Sequence, residues 1–96
     1  MFRRASTNRD RLADLERVEA WTRARFGLHP DAVVIVTESA ARQPGYPPLE
    51  TTVLFWTGGE RYRFTVFKPV AEVVEGDVPI AWLLPSLLDD GEAGCC

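Results

Sequence analysis

ETTVLFWTGGERYRFTVFK, residues 50–68, is two runs of β-forming residues on either side of Gly58-Gly59. A two-residue connection of this kind favours a primed turn, with both glycines at positive φ. The hairpin it predicts sets Thr57 opposite Glu60, Phe55 opposite Tyr62 and Val53 opposite Phe64. Side chains alternate along a strand. Val53, Phe55, Tyr62, Phe64 and Val66 therefore share one face, which is expected to pack on a helix. Leu54, Trp56, Arg61, Arg63, Thr65 and Phe67 share the other, half apolar and half cationic.

The helix lies upstream. Thr7 or Asn8 suits an N-cap and Asp10 the positive end of the helix dipole. Leu12, Leu15, Val18 and Trp21 recur at helical spacing, with Leu28 continuing the line. Glu19 and Arg23 form an i,i+4 pair in the favourable order. Phe26-Gly27-Leu28-His29-Pro30 is a stop signal, with Gly27 suited to the left-handed position after the last turn. The spacing predicts a helix over residues 8–26.

AVVIVTE (32–38) is rich in β-branched residues and reads as a strand buried on both faces, hence central in its sheet. SAARQPGYPPL (39–49), with three prolines and a glycine, reads as a long loop. After Pro69, VAEVVEGDV is read as an edge strand or an extended return. Asp77-Val78-Pro79 suits a helix start, and Pro85 is expected to divide IAWLLPSLLDD into two short turns. Trp82, Leu83, Leu84, Leu87 and Leu88 require that this piece dock on the body.

The resulting expectation is an α+β two-layer sandwich: an N-terminal helix on a three-stranded antiparallel sheet, with 70–75 a candidate fourth strand. Residues 1–7 are expected to be disordered, 8–90 to form a single domain and 91–96 a flexible tail. The α-β-β-β-α order resembles that of the double-stranded-RNA-binding domain. In that family a lysine cluster at the start of the second helix grips phosphate. The matching stretch GDVPIAWLLPSLLDD has neither Lys nor Arg. The resemblance covers element order and stops where that function lies, so no family is assigned.

The composition, 46% hydrophobic and 26% charged, is that of a soluble domain, and no apolar run is long enough for a membrane span. MFRRASTNRD has an Arg pair with no apolar stretch behind it, so a cytoplasmic location is expected. Ten arginines against one lysine suggest a bacterial source of high GC content. Residues 1–26 carry seven arginines against four carboxylates, whereas 69–96 carry six carboxylates and no base. That asymmetry suits either a basic partner at the C-terminal end or a solubilising tail. The acidic balance and single lysine argue against nucleic acid, although aromatic–Arg surfaces do stack on single strands.

Two features carry candidate chemistry. The chain closes on DDGEAGCC, with its only two cysteines adjacent. Neighbouring thiols do not readily meet the geometry of a disulfide, yet they suit a soft metal ion or an iron–sulfur species. Cys95 and Cys96 are thus candidate metal ligands, with Asp89, Asp90, Glu92, the terminal carboxylate or His29 available to complete a tetrahedral set. The acidic surroundings are expected to disfavour the thiolates and argue against strong nucleophiles. A terminal Cys-Cys also resembles the geranylgeranylation signal of Rab-type GTPases, with nothing else here to match that family.

The second feature is the outer hairpin face. Leu54, Trp56, Arg61, Arg63 and Phe67 are candidate partner-binding residues, aromatic and guanidinium groups being those in which interface energy concentrates. The same face becomes an ordinary second core if the Trp82 segment covers it. His29 is expected to interact with the helix C-terminus. No nucleotide-binding glycine motif, paired histidines or nucleophile arrangement is present, so an enzyme is not the leading expectation. The leading expectation is an accessory protein that docks on a larger partner, through the Trp56/Arg61/Arg63 face or the long proline loop, and presents the Cys-Cys tail to a metal or metallocluster. A plain interaction module with an inert tail and a small thiol-dependent redox protein are the alternatives.

Overall fold

The computed structural model describes residues 8–40 and 48–89 of the chain. Helix α1 (Asn8–Phe26) precedes strands β1 (Val34–Ala40), β2 (Leu49–Thr57) and β3 (Glu60–Val66). Among the described residues three 3-10 turns come after β3: η1 (Val70–Glu72), η2 (Glu75–Asp77) and η3 (Ala81–Leu87). The sheet is antiparallel in the order β1-β2-β3, with α1 packed on one face: the α+β fold that the hydrophobic patterning predicts.

The hairpin takes the expected register, Thr57 opposite Glu60, Phe55 opposite Tyr62 and Val53 opposite Phe64. Gly58 and Gly59 have φ of 63° and 83°, the left-handed pair that a primed turn needs. The helix ends as its stop signal predicts. Gly27 has φ 61°, and the Leu28 N–H donates to the Arg23 carbonyl at 3.0 Å, closing a Schellman motif. Arg23 donates to Glu19 and also reaches the carbonyls of His29 and Pro30.

The core lies between α1 and the inner face of the sheet. Val18, Val53, Phe55, Phe64, Val66, Val70, Val73 and Val78 are buried. Phe55 is its centre, stacked on Phe26 at 5.0 Å and on Tyr62 at 5.4 Å between ring centroids, with Phe64 edge-on. Thr22 is also fully buried, its hydroxyl donating to the Val18 carbonyl at 2.9 Å, so the polar group is satisfied within the helix. Leu12, expected in the apolar line, is 55% exposed instead.

Several expectations are corrected. β1 runs from Val34 to Ala40, two residues beyond the predicted span, and is an edge strand: β2 is central. The β-branched run suggested burial on both faces, but Val33 and Ile35 lie exposed on the outer one. The predicted loop 39–49 loses Ser39 and Ala40 to β1 and Leu49 to β2, and its residues 41–47 lie outside the described ones. Among the described residues there is no fourth strand. Residues 70–77 instead close i→i+3 bonds such as Val73 N–H to Val70 O and Asp77 N–H to Val74 O. The three-residue spacing of Val70 and Val73 is that of a 3-10 turn, and both are buried.

The last turn begins at Ala81 rather than at Asp77, and Pro85 does not divide it. Proline φ matches a 3-10 backbone, so the ring removes one donor without bending the chain. Leu84 and Leu87 dock on the core as expected, whereas Trp82 is 75% exposed. Arg25 ties the return to the helix, donating to the carbonyls of Val78 at 2.6 Å and Pro79 at 3.3 Å.

Candidate functional site

Strand alternation builds the outer face of the sheet. The cross-strand register sets Ile35 beside Leu54 and Leu54 beside Arg63, with Trp56 beside Arg61 in the next row. The Trp56 N–H donates to the Val33 carbonyl at 3.2 Å, carrying the pairing one residue past β1 and bringing Val33 to the same patch. Thr37, Thr52 and Thr65 form the following row, with the Thr52 and Thr65 hydroxyls 3.3 Å apart. The face therefore divides into an apolar, cationic end and a hydroxyl-lined middle.

None of Val33, Ile35, Leu54, Trp56, Arg61 or Arg63 is buried, and Ile35 is 43% exposed. Three consecutive residues of β2 make the contrast plain: Phe55 is fully buried on the inner face, and its neighbours Leu54 and Trp56 are half-buried on the outer. The η3 segment packs with the inner-face core through Leu84 and Leu87, so it does not turn this face into a second core.

What meets the face is Asp89. Its N–H donates to the Arg61 carbonyl at 2.8 Å, next to a bridge between Leu88 and Tyr62, and this blunts the outer edge of β3. Asp89 Oδ2 lies 3.2 Å from Arg61 Nε and 3.9 Å from Arg63 Nε. Arg61 Nε is nonetheless a buried nitrogen with no hydrogen bond among the described residues: the carboxylate is close but out of line. The Arg63 side chain is 53% exposed.

Of the five residues proposed from sequence, the structure gathers Leu54, Trp56, Arg61 and Arg63. Phe67 stands apart, past the end of β3, where the Lys68 N–H donates to the Val66 carbonyl and the chain turns away. It is separated from Trp56 by the threonine row, about 20 Å along the strands. Sequence reasoning missed Val33 and Ile35, because a continuous β-branched run carries no sign of which side is covered. It also missed Asp89 as an anchor, for which charge alone gave no register.

The candidate thiols Cys95 and Cys96 lie outside the described residues, as do Asp90 and Glu92. Among the described residues no three His, Cys, Asp or Glu side chains gather as a metal site. Of the proposed helper ligands, Asp89 is held against the arginines, and His29 Nδ1 accepts the Asp31 N–H at 3.0 Å.

A recess of about 250 Å³ lies at the opposite end of the sheet, between Arg11 and Asp14 of α1, Glu38 of β1, Leu49 of β2 and Val70 of η1. Its charged groups already serve the fold. Glu38 accepts the Val70 N–H at 2.9 Å and faces Arg11 at 3.6 Å, and Asp14 pairs with Arg17 at 2.9 Å. No described helix is long and apolar enough to cross a membrane.

No family model, curated protein or solved structure matches the chain.

Proposed function

We propose that this chain is a docking module of a bacterial accessory protein, acting in the cytoplasm. Its outer sheet face recognises a larger protein partner, and its C-terminal thiols are offered to a metal or metallocluster during assembly or protection. One observation carries the reading: the apolar, cationic end of the sheet lies uncovered by η3, and Asp89 is fastened at its border. Six residues of chain separate Asp89 from Cys95, a reach of at most about 20 Å. Recognition by the body and presentation by the tail are then linked by a short tether, which raises the effective concentration of the thiols at a docked partner.

Trp56, with Leu54 and Ile35 beside it, supplies the apolar anchor, and Arg63 supplies a half-exposed guanidinium for a carboxylate on the partner. The partner surface that fits is apolar with an acidic rim. The face is complete without any cysteine, which also suits the simpler reading of an interaction module whose tail has no chemistry.

The test attaches a photoactivatable cross-linker to Cys96 in a Cys95→Ser variant and irradiates native cell extract. The expected result is a discrete cross-linked species that is lost when Trp56→Asp or Arg63→Glu is added. Products unchanged by both substitutions would overturn the docking face.

A further inference from the structure

The two edges of the sheet differ. The outer edge of β3 is closed by the Leu88–Tyr62 bridge and by the Asp89 N–H bond to the Arg61 carbonyl. The outer edge of β1 is open: among the described residues, β1 pairs with β2 alone. The Trp56 N–H bond to the Val33 carbonyl fixes the phase of that pairing. Val33, Ile35, Thr37 and Ser39 turn their backbone groups to β2. Val34, Val36, Glu38 and Ala40 therefore present theirs, N–H and C=O alike, to the free edge.

What fits such a row of donors and acceptors is another strand. VIVTESA has neither the Pro nor the Lys that guards many edge strands. Its one charge, Glu38, is turned inward, where it accepts the Val70 N–H and faces Arg11. No charge on the edge selects a foreign strand, whereas the strand matches itself. About a two-fold axis at Thr37, Val34 lies opposite Ala40 of a second copy and Val36 opposite Glu38. All four outward residues are then paired, and no like charges are directly opposed.

The helix agrees. Arg25 ties one flank of α1 to the return after β3. Leu12, which is exposed, lies about 140° round the helix from Arg25. In the inner layer α1 packs with β1 and η3 with β3, so the Leu12 flank lies on the side of the open edge. A second copy on that edge brings its own α1 alongside and covers Leu12.

We propose that β1 pairs antiparallel with β1 of a second copy, joining two three-stranded sheets into one continuous sheet. The contact is isologous, and because the β3 edge is closed it stops at the dimer. It uses the edge of the sheet rather than its outer face, and stands independently of the docking reading.

Sedimentation velocity of the full chain under reducing conditions tests this. The expected result is a reversible monomer–dimer equilibrium with nothing larger. Thr37→Lys is expected to shift it to monomer, since that exposed side chain would meet its own copy across the axis. Val36→Pro removes an outward N–H, leaves the β1–β2 bonds in place and is expected to act alike. Circular dichroism of both variants separates lost pairing from lost folding. Opposed residues that exchange no hydrogen bonds lie about 4.5 Å apart between Cα atoms, within disulfide range. In a Cys95→Ser/Cys96→Ser chain, Thr37→Cys is therefore expected to give a covalent dimer on mild oxidation. Ile35→Cys, offset from its own copy by about 13 Å along the strands, is expected not to. A monomer up to about 1 mM would leave the edge to a foreign strand and overturn the proposal. So would a dimer that neither Thr37→Lys nor Val36→Pro weakens.

Discussion

Leu54, Phe55 and Trp56 are consecutive on the central strand and meet opposite environments. Phe55 fills the centre of the core among Phe26, Tyr62 and Phe64, and its two neighbours stand half-buried on the outer face. Removing the Phe55 ring leaves a cavity that the surrounding aromatics cannot close, so Phe55→Ala is expected to cost about 3–5 kcal/mol. Leu54→Ala and Trp56→Ala are expected to cost about 1 kcal/mol or less each, as at surface positions. Urea unfolding of the three variants measures this. A loss at Leu54 or Trp56 comparable to that at Phe55 would mean that the outer face is a covered core. The division of these residues between the faces was legible in the sequence, because period-two alternation around Gly58-Gly59 leaves no other register. The burial of Thr22 was not, since the hydroxyl is satisfied by a carbonyl one turn back within the same helix.

At the scale of elements, α1 and the hairpin were legible because the C-terminal end of the helix and the hairpin turn need a left-handed backbone that glycine adopts most readily. β1 was legible as a strand but not as an edge, since which face of VIVTESA is covered depends on partners far away in sequence. The sequence leaves the return after Pro69 open between an edge strand and an extended return, because the apolar spacing in VAEVVEGDV satisfies a strand and a 3-10 turn alike, and tertiary anchors decide between them. One anchor is Asp77. Its carboxylate accepts the Val74 N–H at 3.0 Å and pairs with Lys68 at 2.9 Å. The backbone hydrogen bond, then the Lys68 side chain, hold the Asp77 carboxyl below its ordinary value against a smaller opposing effect of burial.

A carboxyl depressed in the folded state stabilises fully above its unfolded value, near ~4, and loses that contribution as pH falls through the lower folded value. The η1–η2 return is therefore expected to loosen below about pH 4. Asp77→Asn is expected to be less stable at neutral pH and to show a shallower loss of stability on acidification. Thermal midpoints of both chains from pH 7 down to about 3 check this. Parallel curves would contradict the role given to Asp77.

For the whole molecule, the arrangement separates two tasks. α1 and the inner sheet face make the fold, and the outer face is left uncovered by η3 at the end where Asp89 meets Arg61. The sequence identified the thiols and the aromatic–arginine face as separate features. The position of Asp89 at the border of that face follows from the bridge between Leu88 and Tyr62 and the Asp89 bond to Arg61, which no local pattern encodes. Phe67 illustrates the converse: alternation alone groups it with Trp56, and the end of β3 sets it apart. The measurement that tests the central claim most directly is elemental analysis with thiol titration of anaerobically purified protein, for the full chain and for one ending at Asp90. The account predicts stoichiometric metal on the full chain and none on the shortened one, with the thiols protected until the metal is removed. Two free thiols and no metal on the full chain, even after anaerobic exposure to Zn(II) and Cu(I), would contradict it and leave the outer face as an interaction surface alone.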